Sequence, residues 1–210
     1  KLNALGKFEE SKVNLQGSIG GSDEDEAINH FVGRFPNGAV RSQYVVINPD
    51  GDLNHIATQL ATVFSDKKLK ILYLPCGSGA GLIGLLTTLF TLRQHKYYPT
   101  LPLNIEIIGA DFSSDALEIF DEMMNSISKD FLKVGINISY STKQWDATSN
   151  TETMKLMHHL FATNADEYFV FFSNFSGATG TNNNFDDSFR TILDYVATIG
   201  KNSTILWIEP

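Results

Sequence analysis

The chain has 210 residues, 42% of them apolar, enough to bury one substantial core and too many for a disordered protein. Its 24 acidic residues against 16 basic ones leave a formal charge of −8, which opposes general attachment to nucleic acid. A single cysteine, Cys76, excludes an intramolecular disulfide and fits a reducing, cytoplasmic setting, and no apolar run reaches the roughly 20 residues that a membrane span needs.

Residues 1–52 read as an N-terminal extension, a candidate lid. The first 26 are polar and glycine-bearing, a flexible connection whose acidic end, Asp23-Glu-Asp-Glu26, suits the first turn of a helix capped at Ser22 or Asp23. A short amphipathic helix over Ala27–Phe35 is expected to stop at Pro36-Asn-Gly38. Tyr44–Ile47 is expected as a short strand closed by the turn Pro49-Asp-Gly51, with Tyr44 either packed in the core or closing over a site.

Residues 53–210 carry the pattern of an α/β domain. Leu53–Phe64 has helical spacing, and Leu69–Leu74 is an apolar strand running through Pro75 into Cys76-Gly-Ser-Gly79 and then an apolar helix over Leu82–Leu92. Glycines 77, 79 and 81 permit close approach of a ligand to backbone N–H groups at a helix N-terminus, so a nucleotide-like cofactor and a plain tight connection both fit the turn. Gln94–Asn104 is a long loop bearing Tyr97 and Tyr98. Ile105–Asp111 is a second strand ending on an acid, and Phe112-Ser-Ser-Asp115 caps a helix over Ala116–Ile127. A third strand spans Asn137–Ser141 and is followed by Trp145-Asp-Ala147, then a helix over Thr153–Phe161 whose His158 and His159 point about 100° apart and do not chelate one metal.

Asp166–Asn174 is a strand covered on both faces, Phe175–Asn184 a loop of Gly, Asn and Thr, Asp186–Ile199 a helix with Gly200 as C-cap, and Thr204–Pro210 a fifth strand. Alternation of this kind predicts a Rossmann-like, doubly wound, mostly parallel sheet with helices on both faces. Ligands of such sheets bind beyond the carboxyl ends of the strands, where the glycine turn, Asp111, Asp146 and Asn174 all fall.

This pattern resembles the class I S-adenosylmethionine-dependent methyltransferases over roughly residues 53 to 210. The resemblance implies S-adenosyl-L-methionine as cofactor, held by Pro75, Cys76, Gly77, Ser78 and Gly79 in the turn, by Asp111 on the ribose with Phe112 against the purine, by Asp146 and Ala147 at the adenine edge, and by Asn174. It implies methyl transfer to a small-molecule or protein acceptor, with Asn174 and the 175–184 loop lining the acceptor pocket or forming a turn-rich structural loop. Two departures stand out: Tyr73 replaces the family's first acid, and Pro75 replaces a glycine. The family's last two strands do not follow the fifth here, so the expectation is a further segment, a truncated fold, or a sheet completed by a partner. Gly79-Ala-Gly-Leu-Ile-Gly84 also matches a dinucleotide-binding motif literally, and a catalytically inactive binding or scaffolding module is the third reading.

Overall fold

The computed structural model describes residues 23–175, 185–199 and 202–209. Helices α1 (Glu24–Ile47) and α2 (Asn54–Val63) lead into β1 (Lys68–Leu74), α3 (Ala80–Gln94), β2 (Leu103–Asp111), α4 (Ser114–Phe131), β3 (Ile136–Gln144), α5 (Asn150–Phe161), β4 (Glu167–Ser173), α6 (Asp186–Thr198) and β5 (Ser203–Ile208). The strands form one parallel sheet in the order β3-β2-β1-β4-β5. The Rossmann-like α/β architecture expected from the sequence is therefore present.

Side-chain alternation along β1 sorts the core into two layers. Leu69, Ile71 and Tyr73 pack with α2, α3 and α4, while Leu72 and Leu74 pack with α5 and α6. Both faces of β1 and β4 are buried, which is why these strands read as continuous apolar runs. Lys70 is buried among them because its ammonium donates to Leu160 O at 3.1 Å and pairs with Glu106 at 3.1 Å.

The N-terminal expectations need correction. Asp23 does cap the helix, accepting from Glu26 N–H at 2.9 Å. The helix then runs through Pro36 and Gly38 to Ile47, so the stop at Pro36 and the strand at Tyr44–Ile47 are both wrong. An interior proline removes one ladder bond and ordinarily costs about 3 kcal/mol. Here packing overrides that propensity: Phe31 and Val32 bury with Ile119 of α4, and Gly38 and Ala39 press on α3. Asn48, left-handed at φ 48°, ends the helix. Tyr44 is exposed and hydrogen-bonded to Asp50, so it is not core.

The flexible connection over residues 1–22, the loop over 176–184 and the Gly200 cap lie outside the described residues. No described helix is long and apolar enough to cross a membrane.

Candidate functional site

The turn after β1 is folded by its own hydrogen bonds. Cys76 N–H donates to Ala110 O at 2.9 Å, and Gly79 N–H donates to Cys76 O at 2.8 Å. Gly77 and Gly79 take left-handed φ values of 49° and 96°, which a side chain would strain. Their surroundings differ. A Cβ on Gly79 would stand 2.6 Å from Phe120, whereas one on Gly77 would meet nothing within 4 Å, so the backbone at Gly77 borders open space. Pro75 is half-buried; Ser78 and Cys76 are buried, and burial together with the neighbouring Asp111 charge pushes the Cys76 thiol well above its usual range. Burial of this kind disfavours the thiolate that nucleophilic attack needs.

Asp111 closes β2 and latches the turn. Its Oδ2 accepts Gly77 N–H at 2.7 Å and its Oδ1 accepts Ser113 N–H at 3.0 Å. Only 7% of the residue is exposed, and this desolvation raises its pKa against the opposing pull of the backbone N–H groups. The carboxylate has about four lone-pair sites, and the N–H groups of Gly77, Ser113 and Phe112 face it, so part of its acceptor capacity remains for a ligand hydroxyl. Trp145 N–H donates to Asp111 O at 2.9 Å, bringing the exit of β3 alongside. Asp146 there accepts Thr148 N–H and Oγ1–H, both at 2.8 Å, in a turn that leads into α5, with Ala147 partly buried beside it. The Phe112 ring is 64% exposed at the same rim.

On the other side of β1 the arrangement differs from the resemblance. Tyr73 is buried, stacked on Phe171 with centroids 4.9 Å apart, and its hydroxyl accepts Gly81 N–H at 3.0 Å while sitting 2.6 Å from Ser173 Oγ. Its phenol is pushed far above the usual range by burial. The hydroxyl thus occupies the N-terminus of α3. Asn174, left-handed at φ 56°, donates its N–H to Ile208 O at 3.0 Å and accepts from Arg41 Nη1 of α1 at 2.6 Å.

The structure brings residues 75–79, 111–112 and 145–147 into one bonded cluster and sets Asn174 across β1 from it. Sequence reasoning missed Ser173 and Arg41. Their partners lie 100 and 133 residues away, and neither carries a local signature. A cavity of about 380 Å³ opens at the opposite pole, lined by Phe90, Arg93, Tyr98 and Lys133 among others and by none of the expected site residues. Among the described residues no cluster of three or more His, Cys, Asp or Glu side chains could hold a metal ion.

No protein-family model and no curated protein matches the chain. A solved structure from Methanococcus maripaludis, provisionally named an S-adenosyl-L-methionine-dependent methyltransferase, is similar over 91% of this chain and 67% of its own, at 17% identity and a TM-score of 0.40. A likeness that remote carries no argument about function.

Proposed function

We propose that the carboxyl rim of the sheet binds S-adenosyl-L-methionine and that the chain transfers its methyl group to a small-molecule or protein acceptor. The observation that carries this reading is the Asp111 latch. A carboxylate at the end of β2 reaches 2.7 Å to the glycine turn after β1 and keeps acceptor capacity for a ribose hydroxyl. The open space over Gly77 gives a ligand room to lie against the turn, and the exposed Phe112 ring supplies an apolar wall for a purine. When bound, the cofactor supplies an electrophilic methyl on a sulfonium, and its displacement requires alignment more than acid or base help. The chain's own contribution is to orient: Asp111 holds the sugar, the turn sets its depth, and Asn174 bounds the acceptor side.

The turn argues against a dinucleotide. A diphosphate cradle needs unspent N–H donors. Here Cys76, Gly77, Gly79 and Gly81 have given theirs to Ala110 O, Asp111, Cys76 O and Tyr73 respectively, and Pro75 has none, which leaves the turn only the N–H groups of Ser78 and Ala80. The inactive-module reading keeps one observation in its favour, the Tyr73 hydroxyl standing where the resemblance puts an acid.

Calorimetric titration with S-adenosylhomocysteine and NAD tests the proposal. Asp111→Ala is expected to weaken S-adenosylhomocysteine binding by about 1.5–3 kcal/mol, the range for a hydrogen bond to a charged group. Absence of heat with the unmodified protein, or equal affinity in the variant, would refute it.

A further inference from the structure

Arg41 is half-buried on α1, and its one hydrogen bond to a described residue goes to a neutral partner, the Asn174 amide oxygen at 2.6 Å. In a chain of 24 acids against 16 bases, a partly desolvated guanidinium with no carboxylate beside it among the described residues is out of pattern. Arginine carries five N–H donors, so this contact leaves most of them unused.

The position of the guanidinium is built in. Gly38 and Ala39 let α1 lie so close to α3 that a Cβ on Gly38 would stand 2.9 Å from Ala80 Cβ, and one on Gly84 2.5 Å from Ala39 O. Asn174 is equally fixed by its bond to Ile208 and by Gly38, whose added Cβ would stand 3.2 Å from Asn174 Nδ2. Backbone packing therefore holds the stretch of α1 that carries Arg41 against α3 and Asn174, and the hydrogen bond to Asn174 places its guanidinium at the end of β4.

We propose that Arg41 is an anion-recognition residue of this rim and takes a carboxylate carried by the molecule bound between Asp111 and Asn174. Those two residues end β2 and follow β4, on either side of β1, so they stand two strand spacings apart, about 10 Å. The amino-acid tail of an adenosyl ligand spans that distance, and so does a small carboxylic acceptor; the first source rests on the adenosyl reading above, the second does not. The guanidinium fork matches a carboxylate in a way that an ammonium does not.

Two ligand pairs separate the sources: S-adenosylhomocysteine against 5′-methylthioadenosine, which keeps the nucleoside and thioether but has no carboxylate, and benzoate against benzamide. Affinities are measured by calorimetry on the unmodified chain, Arg41→Gln and Arg41→Lys, with melting of each free protein as the folding control. Arg41→Gln is expected to lose about tenfold or more on the charged member of one pair and nothing on its neutral twin, with Arg41→Lys between, as for loss of a charge-assisted hydrogen bond. A loss on S-adenosylhomocysteine assigns the tail, and a loss on benzoate assigns the acceptor. Charged and neutral members changing alike in both pairs would overturn the Arg41 assignment while leaving the adenosyl reading intact. Failure of the unmodified chain to bind either adenosyl compound would overturn that reading, and the benzoate pair alone would then decide Arg41. If Arg41→Gln melts out, Arg41→Lys carries the same comparison.

Discussion

Tyr73 and Asp111 do opposite things with the same currency of backbone N–H groups. The Tyr73 hydroxyl caps Gly81 N–H inside the core, so Tyr73→Phe leaves a buried donor without an acceptor while keeping the stacking on Phe171. The expected cost is about 1–3 kcal/mol, read as a fall in melting temperature of roughly 2–4 °C per kcal/mol for a chain of this size. An unchanged melting temperature would mean that the Gly81 donor finds another partner. Asp111 adds a pH dependence. Burial raises its pKa above the unfolded value, so its contribution to stability is fully present below the ordinary carboxylate range and is lost as pH rises through the raised value. In the proposed complex ligand binding runs the other way, because ribose hydroxyls would donate to the ionised form. Affinity for S-adenosylhomocysteine is therefore expected to fall as pH is lowered through the Asp111 titration, with proton release on binding there. Calorimetry in buffers of different ionisation enthalpy measures both, and Asp111→Asn abolishes the dependence.

The elements were legible wherever one periodicity ran unbroken. The apolar run of β4, the acid-terminated β2 and the amphipathic α4 follow directly from burial on two faces, an end at the rim and one buried stripe. Asp111 could be placed for the same reason: an acid closing an apolar strand has only the rim to occupy. Helix α1 was misread because Pro36 and Gly38 are helix breakers by propensity, and the contacts that overrule them lie on α3 and α4, far along the chain. Gly38 looked like a stop and is a point of close approach. The same contact yields a prediction for the pair of helices. Gly84→Ala puts a methyl 2.5 Å from Ala39 O, a backbone atom that cannot swing aside, so α1 has to move off α3. Overpacking of this kind costs about 1–3 kcal/mol. Hydrogen exchange along α1 is expected to quicken, and the Arg41–Asn174 bond to weaken with it; protection equal to that of the unmodified chain would show that α1 is not held by this contact.

At the scale of the whole molecule the sheet has two poles with separate duties. The carboxyl pole gathers the glycine turn, Asp111, Asp146 and Asn174, as the alternation of strands and helices requires. The amino pole is organised by Arg93, in the last turn of α3. It is 1% exposed, and its guanidinium donates to Leu101 O at 2.7 Å, Phe64 O at 3.1 Å, and Ser65 O and Val134 O at 3.2 Å. One side chain thus ties the end of α2 to the segments that enter β2 and β3, and it satisfies carbonyls that no strand or helix reaches. Replacing it with methionine keeps much of the apolar volume and removes every one of those donors. With about 1.5–3 kcal/mol for each hydrogen bond to a charged group, and water from the adjoining cavity able to recover part, the expected loss is about 3 kcal/mol or more in urea unfolding. The rim lies a strand length away, roughly 20 Å, so the folded Arg93→Met protein is expected to bind S-adenosylhomocysteine with unchanged affinity. A variant that lost affinity in step with stability would show instead that the Arg93 clamp sets the spacing of β1 and β2, and with it the distance from Asp111 to Gly77.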